Sequence, residues 1–187
     1  MKSRAPSALA LLLVAGAWQA APALAADDAR QVCQVPGHGA VGLEVPRGWR
    51  AACKPLEKPP SASLAFQSEP ASFQLTVTVV WLQPSQRGGL EDAALRSHLQ
   101  DVAAQSLPRA VERAAVLEAF RGPEASGYVF TLTDKAPGPG EFVYLTQGSY
   151  GLGELQVIFT LLSREARSEE VERALRMLRE ARFLVKQ

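Results

Sequence analysis

Apolar residues alternate with polar ones in several separate segments of this chain, which is typical of strands with one buried face. The clearest segment of the first half is 73–82, where one face is wholly apolar and the other becomes apolar only towards its end. Shorter alternating segments lie at 41–45 and 64–67. We expect residues 41–53 to form a hairpin in which Trp49 packs at the edge of the core.

The second half of the chain carries the strongest strand signal, between residues 127 and 162. Three runs of β-branched and aromatic residues are separated there by Pro/Gly and Gly-rich turns, which predicts a meander of antiparallel strands. Residues 114–120 are good helix formers, but they also alternate in polarity before a Gly-Pro turn, and we predict a strand there. The three prolines within 54–61 predict a loop.

Two segments have the periodicity of amphipathic helices. The first opens with acidic residues at 91–92, where the helix macrodipole favours negative charge, and ends at Pro108. The second begins at Ser168, a favourable N-cap residue, and is followed by acidic residues and an apolar stripe. The second helix follows the meander directly, so we expect an α+β fold in which this helix lies across one face of the antiparallel sheet.

The N-terminus has the three zones of a secretory signal peptide. Lys2 and Arg4 are basic, residues 8–18 form an apolar stretch of 11 residues, and residues 23–25 have the small-x-small pattern that a signal peptidase recognises. The apolar stretch is shorter than the roughly 20 residues of a membrane span, although an uncleaved anchor or a buried helix is the alternative. We expect cleavage near Ala25, a periplasmic or secreted location, and no stable membrane span afterwards.

Cleavage there divides the chain into a signal peptide (1–25), an N-terminal extension (26–40) and a single domain (41–187). We expect the polar start of the extension, residues 26–31, to be frayed. The 162 residues that remain of 187 are enough for one compact domain with a core. The full sequence has 20 basic and 19 acidic residues, and loss of Lys2 and Arg4 leaves 18 basic residues against 19 acidic ones, a net charge of −1. The basic residues are scattered among acidic ones, so neither nucleic acid nor an anionic membrane is favoured as a partner.

The mature chain contains two cysteines, Cys33 and Cys53. An even number in an exported protein predicts one disulfide, which would close a loop of about 20 residues and stabilise the fold by roughly 3 kcal/mol. Two free, buried thiols are the alternative. The spacing excludes a Cys-x-x-Cys redox site, and the two histidines and two cysteines lack the paired spacing that is typical of a zinc site. We therefore predict neither a metal nor a cofactor.

Few residues suggest catalysis, and we predict no catalytic residues. The chain has no nucleophile elbow, Walker loop, His-Glu-x-x-His motif or dinucleotide fingerprint, and Ser149 lies in a sequence typical of a turn. His98, beside the apolar stripe of the first helix, is a proton donor, a ligand or a partly buried structural residue, and we favour the last. Glu118, Glu141 and Glu154 lie in predicted strands and would have to converge on one face to act as catalytic carboxylates.

Two further features have both a functional and a structural interpretation. Trp49 is either a ring on which a ligand stacks or a packed core residue, and the packed residue is the commoner case. Arg176, Arg179 and Arg182 crowd the end of the second helix. A row of arginines is compatible with phosphate or lipid binding, but a solvated helix face with charges matched to the dipole is the simpler interpretation.

The order of these elements resembles that of the PsbP-like superfamily. An early strand ends in Pro46-x-Gly48-Trp49, and a long strand, a helix, a strand leading into Gly127-Tyr128, the meander and a terminal helix ending at 182–183 follow. This superfamily includes the photosystem II extrinsic subunit, a Ran-binding nuclear import factor and the DcrB-type bacterial envelope proteins. The resemblance covers roughly residues 41–183 and implies an α/β/α sandwich with a central antiparallel sheet flanked by helices.

Members of this superfamily generally act as binding, scaffold or accessory proteins and share no catalytic centre, so the resemblance carries over no catalytic residues. We therefore expect an exported, non-enzymatic binding or accessory protein of the bacterial cell envelope, whose partner is another envelope protein. Two alternatives come from other classes. One is a small hydrolase that uses strand carboxylates, and the other is a lipid or small-molecule carrier, which would need an enclosed apolar cavity.

Overall fold

The computed structural model describes residues 29–57, 60–68 and 71–185, so the predicted signal peptide and its cleavage near Ala25 lie outside the described residues. The described chain contains β1 (Ala29–Gln34), β2 (Ala40–Val45), β3 (Trp49–Leu56), β4 (Ser61–Ser68), β5 (Phe73–Trp81), α1 (Asp92–Ser106), β6 (Glu118–Arg121), β7 (Ala125–Thr133), β8 (Tyr144–Leu152), β9 (Leu155–Ser163), α2 (Glu169–Arg179) and β10 (Arg182–Leu184). Two short 3-10 helices, Pro84–Leu90 and Leu107–Arg109, flank α1.

The strands form two antiparallel sheets. The larger sheet has seven strands in the order β3-β4-β5-β9-β8-β7-β6, and the smaller sheet has the order β1-β2-β10. The predicted meander is confirmed as β7, β8 and β9, which are neighbours in the larger sheet. The long strand predicted at 73–82 is confirmed as β5, which pairs with β9 in the middle of that sheet. The fold is therefore mixed, with helices added to a large antiparallel sheet.

The predicted hairpin over residues 41–53 is wrong. A turn does follow β2, because the Trp49 N–H donates to the Pro46 carbonyl at 3.2 Å. However, β2 and β3 belong to different sheets, so the chain crosses at this turn from the small sheet to the edge of the large one. Trp49 is partly buried and lies 4.5 Å from the ring of Phe73, so it packs at the edge of the core as expected.

Three other boundaries differ from prediction because strand pairing overrides the local sequence. Residues 29–31 are not frayed but belong to β1, which pairs with β2. The predicted loop at 54–61 is partly strand, because residues 54–56 belong to β3. β3 lies at the edge of the sheet, so Pro55 is tolerated there without an N–H to donate on the unpaired side. The strand predicted at 114–120 is present only as β6.

The C-terminus also differs from prediction. The last helix ends at Arg179 and does not continue to 182–183. Residues Arg182–Leu184 instead form β10, which pairs with β2 and completes the small sheet. The N-cap of this helix is confirmed, because the Ser168 side chain accepts a hydrogen bond of 3.3 Å from the Val171 N–H.

The two helices pack on opposite faces of the large sheet. On one face, α2 and the small sheet cover the main core, which includes Leu75, Tyr150 and Phe159. On the other face, α1 buries Leu95 and Leu99 in a separate cluster over β7. This second helix layer packs mainly on β7 and, to a smaller extent, on β8.

The predicted disulfide between Cys33 and Cys53 is present, with the two Cα atoms 5.8 Å apart. Cys33 lies in β1 and Cys53 lies in β3, so the bond links the small sheet to the edge of the large sheet. None of the helices in the described part of the chain is long and apolar enough to cross a membrane.

Candidate binding groove

A groove of about 470 Å³ lies between α2 and the end of the large sheet at β7 and β8. It forms because α2 covers only part of this sheet face, and the strand ends project beyond it. Its lining comes from five places: the sheet face, the loop between β9 and α2, helix α2, strand β6 and the irregular segment that precedes β6.

The floor of the groove is rich in hydroxyl groups. Alternation along β7 places Thr131 and Thr133 on the groove face, and their partners on β8 are Thr146 and Tyr144. The Thr131 and Thr146 hydroxyls are 2.9 Å apart and hydrogen-bonded. Thr146 is buried whereas Thr131 is exposed, so the floor offers uncharged hydrogen-bonding groups at its open end.

One rim of the groove carries the carboxylate of Glu112. This carboxylate accepts hydrogen bonds from the Thr133 N–H at 2.9 Å and from the Thr133 hydroxyl at 2.7 Å. Burial acts to raise the pKa of Glu112, but the bonds from Thr133, together with the backbone N–H of Glu112 itself, outweigh burial and hold this pKa below its usual value. Glu112 is therefore ionised at neutral pH and fixed to the end of β7.

The opposite wall is helix α2. Val171 and Leu175 supply its apolar part, and Arg179 and Glu172 supply charge. The Arg179 guanidinium lies 5.1 Å from the centre of the Phe120 ring, which holds it over the edge of the core. The groove thus combines a hydroxyl floor, a partly apolar wall and charges of both signs.

Two apolar side chains are exposed in the segment that carries Glu112. Val111 is 63% exposed and Val116 is 74% exposed, and both lie in the irregular segment 110–117 that carries Glu112. Neither valine lines the groove, and isolated exposed valines of this kind are common on protein surfaces.

The predicted carboxylates do not converge. Glu118 lies in β6 and lines the groove. Glu141 accepts a hydrogen bond of 2.8 Å from the Gly138 N–H in the loop before β8, and Glu154, at the β8–β9 turn, pairs with Arg87 at 2.7 Å. These two carboxylates therefore have structural roles in loops, and the strand positions expected for them are wrong.

Two single residues also differ from expectation. His98 is exposed on α1, so the expected partial burial is wrong. Ser149 is fully buried inside β8 and accepts a hydrogen bond of 3.1 Å from the Gln156 side chain, so it does not lie in a turn. Across the described ranges, no group of three or more His, Cys, Asp or Glu side chains is placed to hold a metal ion.

The row of arginines at the end of α2 separates in three directions. Arg179 lines the groove, Arg182 pairs with Glu124 at 3.0 Å, and Arg176 is exposed on the helix. The three guanidinium groups therefore have separate surroundings, which favours the solvated-face interpretation over a common phosphate site.

Sequence analysis missed the groove itself. Glu112 and Thr133 are 21 residues apart, and nothing in either segment indicates that they meet. The one local signal was the pair of threonines at alternating positions in β7, which is also ordinary strand composition.

The large antiparallel sheet, the helices on both of its faces and the element order define a PsbP-like fold. A solved structure supports this: the chain is similar to the solution structure of cyanobacterial PsbP (CyanoP) from Synechocystis sp. PCC 6803, with a TM-score of 0.51. The similarity covers 88% of this chain and 98% of that chain at 14% sequence identity, so it shows the fold alone. No family model and no curated protein matches the sequence.

Proposed function

We propose that this chain is an exported, non-enzymatic accessory protein of the bacterial cell envelope, and that it binds part of another envelope protein in the groove between α2 and β7–β8. The observation that carries this proposal is the groove itself, which combines a hydroxyl floor, a partly apolar wall and charged groups at its rim. The volume of about 470 Å³ is within the range of roughly 300–1,000 Å³ that is common for ligand sites.

Two features of the chain support the envelope location. The N-terminal sequence has the zones of a signal peptide. The bond between Cys33 and Cys53 is of a kind that persists in oxidising compartments such as the periplasm. Because these features indicate export, we group this chain with the DcrB-type envelope proteins among proteins with PsbP-like folds. We further propose an α/β/α sandwich, because α1 and α2 pack against separate clusters of the large sheet.

The lining of the groove fits a partner better than the two alternatives. A carrier for lipids would need an enclosed apolar cavity, whereas this groove is open and lined by threonines and charged groups. A hydrolase would need two carboxylates free to act on a substrate, whereas Glu112 already accepts two hydrogen bonds from Thr133.

Site-specific photo-crosslinking in a Gram-negative host tests the groove. The full chain is expressed with p-benzoylphenylalanine at position 118 in the groove or, as a matched control, at position 104 on the exposed face of α1. We expect a discrete envelope adduct from position 118 and none from position 104. Equal adducts from both positions, or none from either, would contradict the proposal.

A charge-reversal pair tests whether the contact depends on groove chemistry. Glu118→Lys changes a groove residue, and Glu180→Lys makes the same change at an exposed position just after α2. We expect only Glu118→Lys to reduce recovery of the partner. If the purified protein instead turns over ester, glycoside or peptide substrates and Glu118→Gln abolishes that activity, the protein is an enzyme and the proposal fails.

Fractionation with intact mass measurement tests export. We expect a periplasmic or secreted species that lacks residues 1–25 and contains one disulfide. A full-length species confined to the cytoplasm with two free thiols would exclude the envelope role.

A further inference from the structure

At one position of β7, the backbone side that faces away from β8 has no strand partner in the described chain. β6 pairs with β7 as far as Glu118, which lies opposite Val129. The same register would place Val116 opposite Thr131, but Val116 lies in the irregular segment 110–117. Pairing resumes only at Thr133, whose carbonyl accepts a hydrogen bond of 2.8 Å from the Val111 N–H.

The direction of the Thr131 backbone groups follows from its neighbours. The N–H and C=O of Thr133 both point away from β8, towards Glu112 and Val111, whereas the Asp134 N–H points to Val143 on the β8 side. Because backbone groups two residues apart point to the same side of a strand, the N–H and C=O of Thr131 also point away from β8. No hydrogen bond among the described residues uses them.

The segment before β6 is held away from this position by its own packing. Ala115 and Leu117 pack against the apolar cluster under α1, on the other face of the sheet. This packing draws residues 113–117 out of the register that would continue β6. The vacancy at Thr131 is therefore built into the fold and opens into the groove, which Thr131 lines.

The size and charge of the vacancy define what could fill it. Val129 and Thr133, the last paired residues on either side of the vacancy, are four residues apart, which corresponds to about 13 Å of strand. A gap of this length has room for about three residues of extended chain. Glu112 lies at one end of the vacancy and Glu118 at the other, whereas the arginines that line the groove, Arg167 and Arg179, come from the α2 side. An extended segment that contributes main-chain groups here would meet negative charge at both ends.

We propose that the vacancy at Thr131 is completed by the main chain of a short extended segment of a partner protein, which carries a basic side chain beside Glu118. The inference rests on the proposed function and specifies the ligand of the same groove. Main-chain hydrogen bonds to Thr131 supply recognition that does not depend on partner sequence. The acidic pair Glu112 and Glu118 selects the basic residue.

The test uses a displayed library of unconstrained nonapeptides, selected against the full, disulfide-bonded chain. Thr131→Pro removes the outward N–H, and proline is tolerated where a strand N–H faces away from its neighbour. Thr131→Val is the matched control, because it removes the hydroxyl and keeps the N–H. We expect selected peptides rich in Lys or Arg, binding that falls about tenfold in Thr131→Pro, as loss of one hydrogen bond predicts, and little change in Thr131→Val.

Backbone exchange in the wild-type chain gives a second measurement, which decides the outcome if Thr131→Pro does not fold. We expect the Thr131 amide to become protected from hydrogen exchange when a selected peptide binds, and N-methylation at one peptide position to weaken binding by at least about tenfold. Unchanged exchange at Thr131, or equal binding to Thr131→Pro and wild type, would overturn the inference. If position 118 still cross-links an envelope partner but no extended peptide is selected, the inference fails while the proposed function stands.

Discussion

The hydroxyl of Tyr150 donates a hydrogen bond of 3.1 Å to the backbone carbonyl of Leu178. Tyr150 lies in β8 and Leu178 lies in the last turn of α2, so this bond fixes the helix to the sheet next to the groove. Tyr150 is fully buried, and burial raises its pKa far above the usual value for a tyrosine. The hydroxyl therefore stays protonated and remains a donor over the whole pH range in which the protein is folded.

Replacing Tyr150 with Phe should lower the free energy of unfolding by about 1 kcal/mol, because the Leu178 carbonyl loses a buried donor. For a domain of this size, the melting temperature should fall by about 2–4 °C. Circular dichroism during heating measures this change. Tyr144→Phe is the matched control on the same strand, at the partly exposed floor of the groove, and should change stability less. Equal effects from both variants would show that the Leu178 bond contributes nothing specific.

Removing the disulfide should separate the two sheets more readily. The bond between Cys33 and Cys53 spans 20 residues, and loop-entropy arguments assign a loop of this size about 3 kcal/mol. The double variant Cys33→Ala/Cys53→Ala should therefore unfold at a lower urea concentration, with a melting temperature lower by about 6–12 °C.

Dithiothreitol supplies the control for this prediction. It should reduce the stability of the wild-type chain towards that of the double variant, and it should leave the double variant unchanged. A wild-type chain whose urea midpoint is the same with and without reductant would show that the packing of β1 and β2 alone holds the small sheet in place.

Local sequence patterns predicted the elements that local physics determines. Alternation along Phe73–Trp81 and the three runs of the meander identified β5, β7, β8 and β9 because these strands are long and bury one face each. Ser168 identified the start of α2 because capping is a property of the residues nearest the helix end.

Elements defined by distant partners could not be predicted in this way. β10 is three residues long and exists because it pairs with β2, which is about 140 residues earlier in the chain. Pro55 indicated a loop, and only the position of β3 at the sheet edge makes a proline acceptable there. The groove also depends on a contact between residues that are distant in sequence. Glu112 accepts a hydrogen bond from the Thr133 N–H, and the two residues are separated in the chain by the segment predicted as a strand at 114–120.

Gly148 should be the glycine of β8 that tolerates a side chain least. A Cβ atom there would overlap two ring carbons of Phe159, which is itself fully buried, and would approach the Tyr128 carbonyl to 3.1 Å. Overpacking of this kind typically costs about 1–3 kcal/mol, so Gly148→Ala should lower the urea midpoint clearly.

Gly151→Ala is the matched control for this prediction, because the nearest atom to its added Cβ is 3.7 Å away, an ordinary contact. Its stability should equal or exceed that of the wild type. Adding Phe159→Leu to Gly148→Ala should recover part of the loss, because the smaller side chain makes room. If Gly148→Ala and Gly151→Ala behave alike, the Phe159 ring can move aside without cost.

Acid should weaken the attachment of β10 through Glu124. Its carboxylate accepts hydrogen bonds of 3.0 Å from the Phe183 N–H and from the Arg182 side chain. The Phe183 bond is the larger cause and the Arg182 bond the second, and together they hold the pKa of Glu124 below its reference value of 4.5. The folded chain therefore binds this proton less readily than the unfolded chain. The stabilisation is complete above about pH 4.5 and is lost as the pH falls through the lower folded pKa.

Urea unfolding at a series of pH values measures this loss. Glu124→Gln should be less stable than wild type at neutral pH, and the difference should shrink below pH 4.5, where the wild-type carboxyl becomes protonated. Arg182→Gln is the matched variant: it keeps the larger cause, the Phe183 bond, so it should retain most of the wild-type dependence on pH. A Glu124→Gln chain whose stability falls with acid as steeply as that of the wild type would show that other groups govern acid unfolding, and that β10 is held by its pairing with β2 alone.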